Sequence, residues 1–198
     1  MLVHKLLTGL FHSATASEMN DHATVLQGSP FWNKKLDRAV QVRDVDKDGL
    51  ITRKDFELVV QRYKDLGGVT GEQLQRIKSS LMELCDSAGL VDDTKQFTHE
   101  EFKKRNASMP NHAQLHDRIF RTMFRGLDIN GDGVVSIDEW ELHYKCMGID
   151  PKHAKASFEA MDTNGDGVVS GEEFLAYHVE YFSTTENKLN SAILYGPL

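Results

Sequence analysis

The sequence predicts an all-α protein of four helix–loop–helix units in two pairs, and three observations predict it. Two stretches are almost identical, Asp128-Ile-Asn-Gly-Asp-Gly-Val-Val-Ser-Ile-Asp-Glu139 and Asp162-Thr-Asn-Gly-Asp-Gly-Val-Val-Ser-Gly-Glu-Glu173. A third, Asp44-Val-Asp-Lys-Asp-Gly-Leu-Ile-Thr-Arg-Lys-Asp55, follows the same template. The flanks repeat as well. Position 8 is apolar (Ile51, Val135, Val169) and the residue after position 12 is aromatic (Phe56, Trp140, Phe174). Apolar pairs stand at helical spacing ahead of each loop: Leu36 and Val40, Phe120 and Phe124, Ala154 and Phe158. An amphipathic helix therefore runs into each loop and another runs out.

The loop pattern is that of the EF-hand, D-x-[DN]-x-[DN]-G-x5-E, and each position has a physical task. Oxygen side chains at positions 1, 3 and 5 converge on one hard cation, and glycine at position 6 permits the sharp turn that brings them together. Position 7 lends a backbone carbonyl, position 9 acts through a water, and position 12 closes the shell with a carboxylate. The candidate ligands are Asp44, Asp46, Asp48, the Leu50 carbonyl and Asp55 in the first loop. In the third they are Asp128, Asn130, Asp132, the Val134 carbonyl and Glu139. In the fourth they are Asp162, Asn164, Asp166, the Val168 carbonyl and Glu173. Three Ca2+ are expected. Asp55 is shorter than the usual Glu and offers the ion fewer oxygens, which favours the tighter octahedral demands of Mg2+. The first site is therefore expected to be a mixed Ca2+/Mg2+ site.

The elements follow in order. Residues 1–28 form an extension without clear caps. Its apolar start carries no arginine and its apolar run is broken, so a mobile or partly helical extension is expected rather than a targeting peptide. Ser29-Pro30 reads as an N-cap followed by proline at the first helical position, and this helix should run to about Arg43. The outgoing helix of the first hand starts near Arg53 and ends at Gly67-Gly68. Thr70-Gly-Glu-Gln73 reads as a capping box for a helix to about Ser87, and Thr98-His-Glu-Glu101 as another for a short helix ending before Pro110. Helices over about 112–127 and 137–147 flank the third loop. Asp150-Pro151 opens the helix into the fourth, and residues 171–182 leave it. The hands span 31–66, 72–109, 115–150 and 151–184, with a tail over 185–198.

A hand alone buries too little surface, so hands pair through a short antiparallel bridge at position 8. The third and fourth loops form one pair. The first needs a partner, and a damaged loop supplies it. With Phe97 at position 8, Glu101 at 12 and Phe102 after it, position 1 falls on Leu90, 3 on Asp92, 5 on Thr94 and 6 on Lys95. The scaffold survives while the first ligand and the turn glycine are lost. A folded second hand that binds no calcium and braces the first is expected.

Composition narrows the partners. A formal charge of −7 on 198 residues, with no basic stripe, argues against nucleic acid. No apolar run approaches the roughly 18 residues of a membrane span. Cys85 and Cys146 show no pairing or zinc spacing, which suits a reducing cytoplasm. Three Ca2+ would take the charge from −7 to −1, so metal binding should couple to tightening of the fold. His112 and His116 share a helix face but have no evident third ligand. No nucleophile–base pair, phosphate loop or cofactor fingerprint is present, so an enzyme is not expected. A monomer is expected, with no target protein evident.

The damaged second hand, Asp at position 12 of the first, Phe31-Trp32-Asn-Lys-Lys-Leu36, Glu180-Tyr-Phe182 and the closing Leu194-Tyr195-Gly196-Pro197-Leu198 together resemble the invertebrate sarcoplasmic calcium-binding proteins and the calexcitin-like neuronal proteins. The resemblance covers about residues 30–198. It implies two EF-hand pairs in one compact globule that buffers cytoplasmic calcium. A sensor would open a methionine-rich groove. The seven methionines here are dispersed, and the tail from Ala192 to Leu198 is placed to fill such a groove from within. A second resemblance is to the calcium-regulated photoproteins and luciferin-binding proteins. Trp140-Glu-Leu-His-Tyr144, His178 and Tyr195 stand near that family's cavity positions, which would imply a coelenterazine-type ligand. Phe182 stands where that family has tryptophan, and the chain closes Gly-Pro-Leu rather than on proline. His178 is equally read as a helix histidine bonded to a backbone carbonyl.

Overall fold

A computed structural model describes residues 28–107, 113–186 and 192–198. The N-terminal extension to residue 27 and His112, and with it the His112–His116 pair, lie outside the described residues. Among the described residues, eight α-helices and four short strands follow one another as helix–loop–helix units: α1 (Pro30–Gln41), β1 (Leu50–Thr52), α2 (Arg53–Gly67), α3 (Gly71–Ser87), β2 (Gln96–Thr98), α4 (His99–Ala107), α5 (Ala113–Leu127), β3 (Val134–Val135), α6 (Ile137–Cys146), α7 (Ala154–Met161), β4 (Val169–Ser170) and α8 (Gly171–Ser183).

Local chemistry sets most boundaries. The Ser29 hydroxyl accepts from the Trp32 N–H at 3.2 Å, with Pro30 behind it, so α1 begins where the cap and the fixed proline φ coincide. Gly68 at φ 64 ends α2. Thr98 and Glu101 form the reciprocal bonds expected at the start of α4, from the Thr98 N–H to Oε2 at 2.9 Å and from the Glu101 N–H to the Thr98 hydroxyl at 3.3 Å. The box expected at Thr70 does not form, because Gly71 takes φ 59, outside the helical region, and the Thr70 side chain makes no capping bond. The Asp150-Pro151 start is a 3-10 turn over Pro151–His153 that leads into α7.

The strands pair the hands. Ile51 lies opposite Phe97 and Val135 opposite Val169, in two antiparallel ribbons. Hand one is thus bridged to hand two, and hand three to hand four, at position 8 of each loop. Ile51, Val135 and Val169 are fully buried. The two pairs share one core, which runs from Val59, Tyr63 and Ile77 through Phe120, Trp140 and Tyr144 to Phe174 and Tyr181. A smaller cluster of Val40, Ile51, Cys85, Leu90 and Phe102 fills the first pair. Both cysteines are buried and free.

The two ends of the described chain are fastened together. Trp32 Nε1 donates to the Phe182 carbonyl at 2.6 Å, and the Lys35 ammonium to the Thr184 carbonyl at 2.9 Å. Tyr181 donates its hydroxyl proton to the Lys35 carbonyl at 2.8 Å. Lys35 is almost fully buried over the rings of Phe31 and Tyr181, and burial pushes its ammonium down to about 8. The tail enters the cleft as expected. Leu194 and Tyr195 are buried, the Tyr144 hydroxyl donates to the Leu194 carbonyl at 2.7 Å, and Arg38 Nε donates to the Tyr195 carbonyl at 2.9 Å.

Two histidines sit in this core. His178 Nδ1 donates to the Phe174 carbonyl at 2.8 Å, the second of the two alternatives read from the sequence, and its ring packs on Phe120 and Phe174. His143 Nδ1 lies 2.9 Å from the Tyr63 hydroxyl, with the Trp140 ring beside it. Burial, with Arg43 nearby, pushes both from 6.5 down to about 3. The unfolded chain takes up these protons first, so stability is full above about 6.5 and is lost as the pH falls from there toward 3. Going from pH 7 to pH 5 should cost about 2 kcal/mol per histidine. Urea unfolding in chelator, where the loops are metal-free at both pH values, measures it. His178→Leu should remove one histidine's share of the pH dependence.

Candidate metal centres

Each intact loop begins just past the end of one helix and ends on the first turn of the next, and the carboxylates turn inward because backbone N–H groups hold them. In the first loop Asp44 Oδ1 accepts from the Asp48 N–H and Oδ2 from the Gly49 N–H, both at 3.1 Å. Asp46 Oδ1 accepts from the Asp48 N–H at 3.2 Å, and Asp48 Oδ1 from the Leu50 N–H at 2.8 Å. Oxygens of Asp44, Asp46 and Asp48 all lie within 4.8 Å of one another, so three carboxylates crowd a volume that one cation would fill. The third and fourth loops repeat the wiring. Asp128 Oδ2 accepts from the Gly133 N–H at 3.1 Å, and Asp162 Oδ2 from the Gly167 N–H at 3.0 Å. Asn130 Oδ1 accepts from the Asp132 N–H at 2.9 Å, and Asn164 Oδ1 from the Asp166 N–H at 2.8 Å. Asp132 and Asp166 each accept from the residue at position 7, Val134 and Val168, at 3.0 Å.

Position 12 joins the two ends of each loop. Glu139 Oε1 accepts from the Ile129 N–H at 2.9 Å, while Oε2 accepts from the Ser136 N–H at 2.8 Å. Glu173 does the same with Thr163 at 3.1 Å and Ser170 at 3.0 Å. Asp55, one methylene shorter, still spans both ends, from Val45 at 2.7 Å to Thr52 at 2.8 Å. Burial raises the Asp55 pKa, and its backbone donors oppose the shift. The position-9 hydroxyls Ser136 and Ser170 bond to the position-12 carboxylate at 2.8 Å and cap the outgoing helix.

The second loop lacks this wiring. Leu90, at position 1, is buried in the core of the first pair. Glu101 accepts only from Thr98, at the far end of the loop, and is exposed. Asp92 Oδ1 bonds to the Thr94 N–H at 2.9 Å. Arg53 reaches across from the first hand, donating to the Leu90 carbonyl at 3.1 Å and to Asp86 at 2.8 Å.

Sequence reasoning missed three features. Position 4 is left-handed in every intact loop: Gly131 at φ 78, Gly165 at φ 73 and Lys47 at φ 66, the one non-glycine residue with positive φ among those described. The G-x-G spacing of loops three and four carried that signal, and the first loop hid it. Arg62 ties the position-2 carbonyl of Val45, at 3.4 Å, to the Cys146 carbonyl, at 3.0 Å, and Arg76 donates to the position-2 carbonyl of Ile129 at 2.6 Å. These contacts couple a loop of one pair to a helix of the other. The third missed feature is a ring nitrogen of His99, which lies 2.9 Å from Asp44 Oδ2.

Known proteins share this architecture. Models of an EF-hand domain pair match residues 117–178 and 93–140. The sarcoplasmic calcium-binding protein of Perinereis vancaurica tetradentata is 34% identical over 176 residues, covering 86% of this chain and 99% of that one. The sarcoplasmic calcium-binding protein of Hediste diversicolor is 33% identical over 177 residues, with the same coverage. Among solved structures, the calcium-loaded apo form of a coelenterazine-binding protein from Renilla muelleri has the same fold. Its TM-score is 0.75 at 23% identity, over 93% of this chain and 100% of that one. No described helix is long and apolar enough to cross a membrane. The paired loops and the identity along nearly the whole of both relatives agree, and the chain is a calcium-binding EF-hand protein belonging to the sarcoplasmic calcium-binding protein family.

Proposed function

We propose that the protein is a monomeric cytoplasmic calcium buffer with three working sites, in hands one, three and four, and a second hand that serves only as a brace. The observation that carries this reading is the position-12 carboxylate, which spans both ends in the first, third and fourth loops and not in the second. The ligands are then Asp44, Asp46, Asp48, the Leu50 carbonyl and Asp55, and the matching sets from Asp128 to Glu139 and from Asp162 to Glu173. A buffer rather than a sensor is supported by the tail, whose Leu194 and Tyr195 already occupy the cleft that a target helix would use. The described methionines Met82, Met123, Met147 and Met161 are buried or half-buried.

Site one takes Mg2+ as well as Ca2+, because Asp55 offers a shorter, less accommodating carboxylate. A calcium titration by native mass spectrometry in millimolar Mg2+ should load three ions per chain, with Mg2+ competing first at site one. Asp55→Glu should shift the Ca2+/Mg2+ preference of that site toward Ca2+, on the order of tenfold by calorimetry. Equal Mg2+ competition at all three sites rejects the ranking.

A second reading, a carrier of a coelenterazine-type ligand, draws on His178 Nε2 and the Tyr195 hydroxyl, which are buried with no hydrogen-bond partner among the described residues. A cavity between the hands is about 110 Å³ and is lined by Tyr195, His143, Arg43, Asp55, Asn106 and Thr122 among apolar side chains, with His178 outside its lining. That is less than the roughly 150 Å³ that admits one benzene, so a multi-ring ligand needs the core to open. A visible absorption band that survives gel filtration after incubation with coelenterazine would favour the carrier over the buffer.

A further inference from the structure

We infer that His99, which belongs to the hand without a cation site of its own, is a positioning residue for site one: its ring N–H holds Asp44 in the orientation that presents the carboxylate's other oxygen to the cation. The inference rests on the reading that site one binds a divalent ion.

The ribbon between the first two hands puts His99 in place. Leu50 pairs with Thr98, so the next residue of the second hand stands across from Gly49. His99 Nε2 then lies 2.9 Å from Asp44 Oδ2, the same oxygen that accepts from the Gly49 N–H at 3.1 Å. An ionised carboxylate only accepts, so the neutral ring with its proton on Nε2 is enough, and no change of charge is involved. Oδ1 keeps a single 3.1 Å bond, from the Asp48 N–H, and is the oxygen left for the ion.

Comparison with the other loops shows why the first needs this contact. Asp128 and Asp162 each receive an additional N–H from the glycine at position 4, at 2.6 and 2.8 Å. In the first loop that position is Lys47, and it makes no such bond to Asp44, so His99 brings the donors on Asp44 back to three from outside, on Oδ2 rather than on the Oδ1 that the glycine bonds in the other loops. Asp44 is 3% exposed, whereas Asp128 and Asp162 are half-buried. A carboxylate withdrawn from water depends on each protein donor it has. Loops three and four carry Ile137 and Gly171 at the position that corresponds to His99, and neither has a side-chain donor.

The exchange is reciprocal. Arg53 holds the same loop position in the first hand, and it reaches position 1 of the second loop, the Leu90 carbonyl, at 3.1 Å. The hand that has lost its cation receives a guanidinium, and the hand that keeps one receives an imidazole donor. The brace is thus part of the site it braces, beyond the apolar packing of Phe97 and Phe102.

The Gly49, Gly133 and Gly167 amides each bond to the position-1 aspartate of their own loop, so their NMR signals report the three sites separately. Calcium titrations of the full chain at pH 7.5 would compare wild type, His99→Phe and His99→Gln. Phe keeps a ring without a donor, and Gln keeps an N–H of similar reach. We expect His99→Phe to weaken the Gly49 transition about tenfold, the lower end for loss of a residue that orients a ligand. The Gly133 and Gly167 transitions should stay in place, and His99→Gln should recover most of the loss. A Gly49 transition unchanged in His99→Phe overturns the inference. So does an equal weakening at all three glycines together with a lower unfolding midpoint, which marks a purely structural role. If Gly49 of the wild type fails to respond to calcium while Gly133 and Gly167 do, the three-site reading fails and this inference falls with it.

Discussion

Calcium is expected to stabilise this protein by about 12 kcal/mol once the free ion stands about a thousandfold above the dissociation constant of each of three sites, about 4 kcal/mol per site. The reason lies in the charge of the loops. Asp44, Asp46 and Asp48 hold their oxygens within 4.8 Å of one another, on a chain of net charge −7. Backbone N–H groups orient these carboxylates but do not neutralise them, so an ion relieves repulsion and closes the loop in one step. Glu139→Gln and Glu173→Gln should each remove one ion from the native mass spectrum and about 4 kcal/mol of the metal-dependent stability. Their stability in chelator should fall by about 1 to 3 kcal/mol, since Gln keeps an acceptor for the N–H groups at the start of the loop but turns its NH2 toward the Ser136 or Ser170 N–H. Because Val135 and Val169 bridge loops three and four, loss of either site should also weaken its neighbour. Unfolding in excess calcium and in excess chelator measures both quantities. Equal midpoints in the two conditions would contradict the assignment of these loops as metal sites.

How legible this was depended on distance along the chain. The three intact loops, the helix ends at Ser29 and Gly68 and the pairing of Ile51 with Phe97 follow from patterns a few residues wide, where one residue type answers one geometric need. Even the damaged loop was readable, because Leu90 and Lys95 replace oxygen and glycine at fixed offsets. The unreadable parts depend on residues far apart. A buried Lys35 breaks the rule that lysine faces water, and the Thr184 carbonyl that accepts its proton lies 149 residues away along the chain, with the Tyr181 ring beside it. Arg53 and His99 look like ordinary polar positions at helix starts until the ribbon register sets each beside the other hand's loop. Lys47 carries no sequence mark of its left-handed backbone. The Thr70 box fits its motif and still fails, because a motif cannot say which φ the glycine at its second position will take.

Truncation before Leu194 is expected to cost at least about 3 to 6 kcal/mol and to turn a closed molecule into one that binds a hydrophobic dye. Leu194 is fully buried and Tyr195 is 2% exposed, and withdrawing one such apolar side chain from a core costs about 1.5 to 3 kcal/mol. The groups left behind add to this. The Tyr144 hydroxyl loses its 2.7 Å acceptor at the Leu194 carbonyl, and Arg38 loses the Tyr195 carbonyl at 2.9 Å. The Tyr181 ring, which meets Tyr195 edge-on with centroids 5.6 Å apart, would face water. The double substitution Leu194→Ala, Tyr195→Ala leaves the backbone acceptors in place and should cost less, which separates packing from hydrogen bonding. Dye binding to the intact chain bears on the choice between buffer and sensor. With the tail seated, dye fluorescence should be low with and without calcium, and only the truncated chain should light up. A large calcium-dependent rise in the intact chain would mean that the tail leaves its cleft when the loops fill, and the protein would then be a switch whose tail competes with a target.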